Sequence, residues 1–163
     1  MAQQFAARPI GDDADPVTDP FRLQRFIDAQ DGGTYEQALS ELRHGAKRSH
    51  WMWFVFPQLA GLGRSETARF YAIADLAEAR AYLAHPVLGP RLVESARTLT
   101  GLDRKNAVAV FGGIDAQKLH SSMALFARAA PDEPAFATVL DEYFAGATDD
   151  ATTSRLQVGQ EGK

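Results

Sequence analysis

The sequence contains no cysteine, which excludes disulfides, thiolate zinc sites, iron–sulfur clusters and a cysteine nucleophile. It also lacks an apolar run of the roughly 18 residues that a membrane-spanning helix requires. The first ten residues, MAQQFAARPI, contain no apolar segment of signal-peptide length. These absences predict a soluble, cytoplasmic protein that has no membrane partner.

A surplus of basic residues is missing too. The chain has 17 Lys and Arg against 21 Asp and Glu, a formal net charge of -4, and its pI is near 5.5. Without a general basic field, binding to duplex nucleic acid is not expected, although a local basic patch is compatible with these totals. The length of 163 residues fits one domain.

Histidines are few and do not pair. His44, His50, His85 and His120 include no two at metal-ligand spacing, so we predict no metal site. Nothing else in the sequence indicates a cofactor. His85-Pro86 is most simply a helix boundary, with the imidazole as a possible cap.

Start and stop signals for helices recur along the chain, whereas no segment alternates convincingly as a strand. We predict a flexible leader over residues 1–17, one helical domain over 18–157 and a disordered tail over 158–163. The tail follows at most one further turn of helix through Leu156. Predicted starts lie at Asp19-Pro20, Thr34, Ser49, Ser65, Asp75, Pro86, Asn106, Asp115 and Pro134, and predicted stops at Gly32-Gly33, Gly45, Pro57, Gly101, Gly112-Gly113 and Gly146. The pattern predicts an all-α, single-domain, non-repeating orthogonal multi-helical bundle of about eight helices.

The stretch 47–63, KRSHWMWFVFPQLAGLG, holds both tryptophans and is the most apolar part of the chain. Fully burying one aromatic side chain is worth roughly 2–3 kcal/mol, so the run 51–56 must pack into the interior. A short helix and a buried strand fit this run equally by pattern. We favour a helix because a lone strand would leave its backbone groups unpaired.

The polar flank of this stretch is the first candidate site. Lys47, Arg48, Ser49 and His50 place two cations beside the expected free N–H groups of a helix start, which is the local chemistry of an anion site. The aromatic residues Trp51, Trp53, Phe54 and Phe56 are expected mainly in the core, but so short a segment cannot hide both indoles equally. Trp51 is our choice for an indole at a cleft edge, where it would stack on a base or sugar. A solvated loop with a capping serine explains the same residues equally well.

Two further segments are candidates for the same site. Gly61, Gly63 and Arg64 form a glycine loop before a helix start, although the loop lacks the lysine and spacing of a P-loop. Lys118, Ser121 and Ser122 place polar groups on a helix whose other face is apolar. These hydroxyls would bind phosphate or sugar, or would satisfy neighbouring carbonyls.

Four ordered motifs resemble the bacterial family known as domain of unknown function 1810. They are KRSHWMWFVFPQ at 47–58 with GLG at 61–63, HPVLGPRL at 85–92, FG at 111–112 with KLHSSM at 118–123, and VLDEYFAG at 139–146. The resemblance covers about residues 19–156 and implies a compact, mostly helical domain without an established activity. The family pattern favours Arg where this chain has His120. Some members carry a calpastatin-like label, but that inhibitor is a long disordered polypeptide and this sequence is typical of a folded domain.

The favoured hypothesis is that the domain binds a small anionic, nucleotide-like ligand at a basic and aromatic cleft. One alternative rests on a distant similarity to NADAR domains, which cleave N-glycosidic bonds of ADP-ribose-linked substrates. In that case Asp141 or Glu142 would be the acid or base. The other alternative is a non-enzymatic interaction domain. Whether the protein is an enzyme, and which residues would be catalytic, the sequence leaves open, as it does the oligomeric state.

Overall fold

The computed structural model describes residues 18–161, with side chains described through Leu156. This part of the chain is entirely helical and forms a single domain; Leu59 and Ile73 make an isolated bridge, and no strand is present among these residues. The helices are α1 (Gln24–Gln30), α2 (Thr34–Arg43), α3 (Met52–Val55), α4 (Glu66–Phe70), α5 (Leu76–Ala84), α6 (Leu88–Thr100), α7 (Ala107–Phe111), α8 (Gly113–Ala129), α9 (Pro134–Phe144) and α10 (Asp150–Glu161).

The all-α class is confirmed, but the described residues form ten helices where about eight were expected. The count differs because α3, α4 and α7 are separate segments of only four or five residues, and because α10 is a full helix. The predicted domain end at residue 157 falls inside α10, which continues through Glu161. The predicted leader 1–17 lies outside the described residues.

Side-chain caps account for several of the helix starts. The side chains of Ser65, Asp75 and Asn106 accept backbone N–H groups of Ala68, Glu78 and Ala109, as their positions predict. His85 Nδ1 also caps: it accepts the backbone N–H groups of Val87 and Leu88 at 3.1 and 3.3 Å, before α6. Burial lowers the pKa of His85, with Asp19 acting in the opposite direction, which favours the neutral imidazole that can accept.

The predicted starts at Asp19 and Thr34 are among those that are displaced. Asp19 accepts the N–H groups of Leu23 and Gln24, yet α1 begins only at Gln24 because Arg22 interrupts the helical backbone with a φ of 54°. Thr34 is the first residue of α2, whose N-cap is Gly33 with φ +88°. The helix is therefore capped by this glycine and not by the predicted start residue Thr34.

Helix α8 occupies the centre of the fold and packs against α9, α5, α7 and α10. Phe126 of α8 is fully buried, with its ring centroid 5.5 Å from that of Tyr82 and 5.9 Å from that of Phe136. The run 51–56 forms the helix α3 and packs against α8 and α1. The predicted site segments 47–51 and 118–122 are thus both attached to the central helix.

Candidate functional site

A buried carboxylate organises the polar flank at 47–51. Glu41 of α2 is only 5% exposed. Its Oε1 accepts the backbone N–H groups of Arg48 and Ser49 and the indole N–H of Trp51, at 2.8, 3.0 and 2.9 Å. Its Oε2 accepts the Ser49 hydroxyl at 2.6 Å and the Gln37 side-chain amide at 2.9 Å. The donors that were expected to be free for a ligand are therefore already bound to an internal anion.

The charge state of Glu41 follows from these bonds. Burial raises the pKa of this carboxyl, but the hydrogen bonds from Ser49, Arg48, Gln37 and Trp51 outweigh burial, so the net pKa lies well below its usual range. Glu41 is thus ionised at neutral pH. Its sequence signal was available: it is a charged residue beside Ala38 and Leu42 on the buried face of α2.

Ser49 and Trp51 do not have the roles expected of them. Ser49 does not cap α3, whose N-cap is Trp51, because its hydroxyl donates to Glu41. Trp51 is 1% exposed, so it is a core residue and cannot be the indole at a cleft edge. Trp53, which the sequence analysis left in the core, is the half-buried tryptophan. The local sequence pattern could not decide which tryptophan is more exposed, because each is adjacent to a buried residue.

Lys47 is also a structural residue. Its ammonium lies 2.8 Å from Asp115 Oδ2, donates to the carbonyl of Ser49 at 2.6 Å and sits 5.1 Å from the Trp51 ring centroid. The side chain is 8% exposed. Asp115, predicted as a helix cap, instead lies within α8 and joins two lysines, since Lys118 Nζ is 3.4 Å from its Oδ1.

Trp53 is the centre of the surface that remains available. Lys118 Nζ lies 4.7 Å from the Trp53 ring centroid, a cation–π contact. Trp53 shares a small hollow with Gly61 and Gly63, whose volume of about 10 Å³ has room for one water molecule at most. Arg155 of α10 packs against the same glycine loop. We call these five residues, Trp53, Gly61, Gly63, Lys118 and Arg155, the Trp53 corner.

The two glycines of the loop make room for different neighbours, Arg155 at Gly61 and Ala68 at Gly63. Gly61 has φ +94°, and a Cβ there would lie 2.3 Å from Arg155 Nη1. A Cβ on Gly63 would lie 2.5 Å from the Cβ of Ala68. Arg155 was not predicted as a site residue: it lies in the segment for which at most one turn of helix through Leu156 was expected, and no short-range signal connects it to Gly61.

Ser121 and Ser122 are buried in α8, away from solvent. The Ser121 hydroxyl lies 3.0 Å from Asp149 Oδ2, which also accepts the backbone N–H and the hydroxyl of Thr152. Burial raises the pKa of Asp149, but the bonds from Thr152, Ser121 and Gln117 outweigh burial and lower it overall. The Ser122 hydroxyl has no hydrogen-bond partner among the described residues.

The remaining candidates are dispersed. Arg48, His50 and Arg64 are exposed, and none of their side chains makes a hydrogen bond, ion pair or ring contact with residues 18–156. Asp141 and Glu142 are exposed on α9, and Glu142 Oε1 lies 3.8 Å from Lys105 Nζ. These two positions fit surface charges, and a general acid or base role has no support from their contacts.

The described part of the chain contains neither a metal-binding cluster nor a membrane-spanning helix. No three His, Asp or Glu side chains there converge in a group that would hold a metal ion. None of the helices formed by residues 18–161 combines the length and apolarity needed to cross a lipid bilayer.

Comparison with known proteins places the chain in a family. No curated protein matches it significantly. The chain is 47% identical to the conserved hypothetical protein Rv1873 from Mycobacterium tuberculosis, and its fold matches that crystal structure with a TM-score of 0.83 over 85% of this chain and 99% of the other. The model of the family described as a protein of unknown function, DUF1810, matches residues 20–156. Because this match spans most of the sequence, the protein belongs to the DUF1810 family.

Proposed function

We propose that the protein binds a small anionic, nucleotide-like ligand at the Trp53 corner. The observation that carries the proposal is the Lys118 ammonium over the half-buried Trp53 indole, beside a glycine loop against which the Arg155 guanidinium packs. An aromatic face flanked by two cations suits a ligand with a planar ring and a phosphate. The hollow itself is too small for such a ligand, which would lie across Trp53 on the surface.

Lys118 is the cation best able to turn towards a ligand. Asp115 is paired more closely with Lys47, at 2.8 Å, than with Lys118, at 3.4 Å. If Lys118 moved to a phosphate, the carboxylate of Asp115 would keep its nearly buried partner. An anion at this surface would therefore gain a charge-assisted bond without leaving Asp115 unpaired.

The proposal differs from the sequence hypothesis in its residues. Lys118, Gly61 and Gly63 keep their place in it, and Arg64 extends from the same loop with an exposed side chain. Four other predicted ligand residues are bound within the protein instead. Lys47 pairs with Asp115, Ser49 and Trp51 donate to Glu41, and Ser121 donates to Asp149. Arg48, His50 and Ser122 have no contact that assigns them to the ligand.

Binding is tested by thermal denaturation and tryptophan fluorescence with AMP, ADP-ribose, ribose 5-phosphate and inorganic phosphate at millimolar concentration. A ligand that binds the folded state raises Tm according to RT ln(1 + [L]/Kd). A ring-bearing ligand should also quench Trp53, and Trp53→Leu should abolish the quenching. Stacking is supported if AMP binds more tightly than ribose 5-phosphate.

Charge is tested by Lys118→Ala and Arg155→Ala, each of which should weaken binding about tenfold, equivalent to about 1.4 kcal/mol. Arg104→Ala is the matched control, because Arg104 is an exposed arginine in the connection between α6 and α7. The proposal is wrong if no ligand changes Tm, or if the control and the two variants weaken binding equally.

A further inference from the structure

A second and larger depression lies between α2, α5, α6 and the start of α9. It is an open cleft of about 800 Å³, within the range of roughly 300–1,000 Å³ that is typical of small-molecule sites. None of the Trp53 corner residues lines it. The residues that matter for its chemistry are Arg43, Leu83, Val93, Arg97, Glu133 and Phe136.

The shape of the cleft depends on a close helix crossing. A Cβ at Gly89 would lie 2.0 Å from the carbonyl oxygen of Leu83, so only glycine allows α6 to begin this close to the end of α5. Leu83 and Val93 are half-buried, and Phe136 is fully buried beneath them. The wall of the cleft is therefore apolar and built on helices.

Two arginines and two glutamates line the cleft, so its charges balance, but the unpaired group is a cation, which favours an anion. The Arg43 side chain is exposed and has no partner among the described residues. Arg97 is 65% exposed, and its Nη2 lies 3.7 Å from Glu133 Oε2, a loose contact. That same oxygen accepts the N–H of Ala135 at 3.0 Å as the cap of α9. The other carboxylate of the cleft, Glu94, accepts the hydroxyl of Tyr35.

We propose that this cleft binds an amphiphilic organic anion, in which a carboxylate or phosphate head group is joined to an apolar chain. Arg43 and Arg97 would hold the head group, because guanidinium groups match carboxylate and phosphate oxygens bidentately. The chain would lie along Leu83 and Val93. Both glutamates already accept hydrogen bonds from protein groups, whereas Arg43 has its donors available. This site is independent of the function proposed for the Trp53 corner.

The test is calorimetry on the full chain with octanoate and octyl phosphate below their micelle concentrations. At least one of them should bind, and the comparison identifies the preferred head group. Acetate, inorganic phosphate and octanol should bind at least tenfold more weakly, because each lacks either the chain or the charge. Affinity should rise along butanoate, hexanoate and octanoate. Octylamine that binds as tightly as octanoate would overturn the proposal, since it would assign the site to the glutamates.

Variants locate the site. The double variant Arg43→Gln/Arg97→Gln should lower affinity at least tenfold while keeping the far-ultraviolet circular dichroism and Tm of the wild type. Val93→Asn should flatten the dependence on chain length. Lys118→Ala should leave binding unchanged, which separates this cleft from the Trp53 corner. If the arginine variant binds like the wild type, or if neither anion binds, the proposal is wrong.

Discussion

At the scale of single residues, Glu41 determines what the 47–51 segment can do. Its carboxylate collects five hydrogen bonds, including two from the backbone of the segment and one from the indole of Trp51. A donor-rich segment that resembles an anion site is here folded around an anion that the protein supplies itself. The segment is consequently bound within the protein, and in the proposed function Trp53 and Lys118 would face the ligand instead.

We predict that Glu41→Gln lowers the free energy of unfolding by about 2–3 kcal/mol, because an amide is neutral and places an N–H₂ group against donors. Urea denaturation followed by tryptophan fluorescence measures the change. Glu36→Gln is the matched control on the same helix, since Glu36 is exposed. Equal effects of the two substitutions would mean that the buried hydrogen bonds contribute nothing specific.

The pH dependence of stability follows from the same residue. The pKa of Glu41 is lowered from 4.5 in the folded state, so its contribution is complete above that pH and is lost as pH falls towards the folded-state pKa. We expect the wild type to lose more stability than Glu41→Gln between about pH 7 and about pH 4. Asp149, whose pKa is also lowered, adds a slope common to both proteins. Parallel urea titrations at the two pH values check this, and identical slopes would contradict it.

At the scale of helices, glycines fix how closely elements approach each other. Gly89 brings α6 against the end of α5, and Gly61 leaves space for Arg155 of α10. In both places a backbone or guanidinium group occupies the position of the missing Cβ. These glycines shape the cleft and the Trp53 corner. The geometry of both proposed sites therefore depends on contacts between separate elements, α6 with α5 and the glycine loop with α10.

Gly89→Ala should destabilise the protein by about 1–3 kcal/mol, although Gly to Ala in a helix ordinarily stabilises by about 0.5–1 kcal/mol. The sign reverses because the new Cβ would lie 2.0 Å from the Leu83 carbonyl oxygen, which is backbone and cannot rotate away. Gly113→Ala is the control, since Gly113 is helical and nothing lies within 4 Å of its missing Cβ. Thermal denaturation of both variants checks the prediction, and a stabilised Gly89→Ala would refute it.

At the scale of the whole molecule, one hydrophobic core connects the ends of the described chain. The continuous cluster of buried residues runs from Leu23 near the start of α1 to Leu156 in α10, and α8 lies at its centre. The helices that carry the Trp53 corner and the walls of the larger cleft all contribute residues to this core. The two proposed sites are therefore rigidly connected to the same packed interior.

A single core predicts a single cooperative unfolding transition. Circular dichroism, which reports all the helices, and tryptophan fluorescence, which reports residues 51 and 53, should give the same midpoint in urea. Phe126→Ala provides a stronger test. It should remove about 3–5 kcal/mol of stability and lower the midpoint reported by both probes together. Separate midpoints for the two probes would show that the helices around Trp51 and Trp53 unfold independently.

The sequence by itself determined the helical class, most of the helix starts and the membership of the DUF1810 family. The helices and their starts depend on local interactions: Ser65, Asp75 and Asn106 cap helices through backbone N–H groups three residues away. The burial of the 51–56 run, apart from Trp53, was equally predictable, because so large an apolar area is not stable in water.

Only the tertiary structure decided which polar groups remain available. Glu41 reaches seven to ten residues along the chain, Lys47 meets Asp115 from another helix, and Arg155 meets Gly61 across 94 positions of sequence. Such pairings depend on how the helices pack. A side chain without a partner in its own segment is often bound by a residue of another element. That physical reason explains why Trp51 and Ser49 became interior residues while Trp53 and Lys118 remained at the surface.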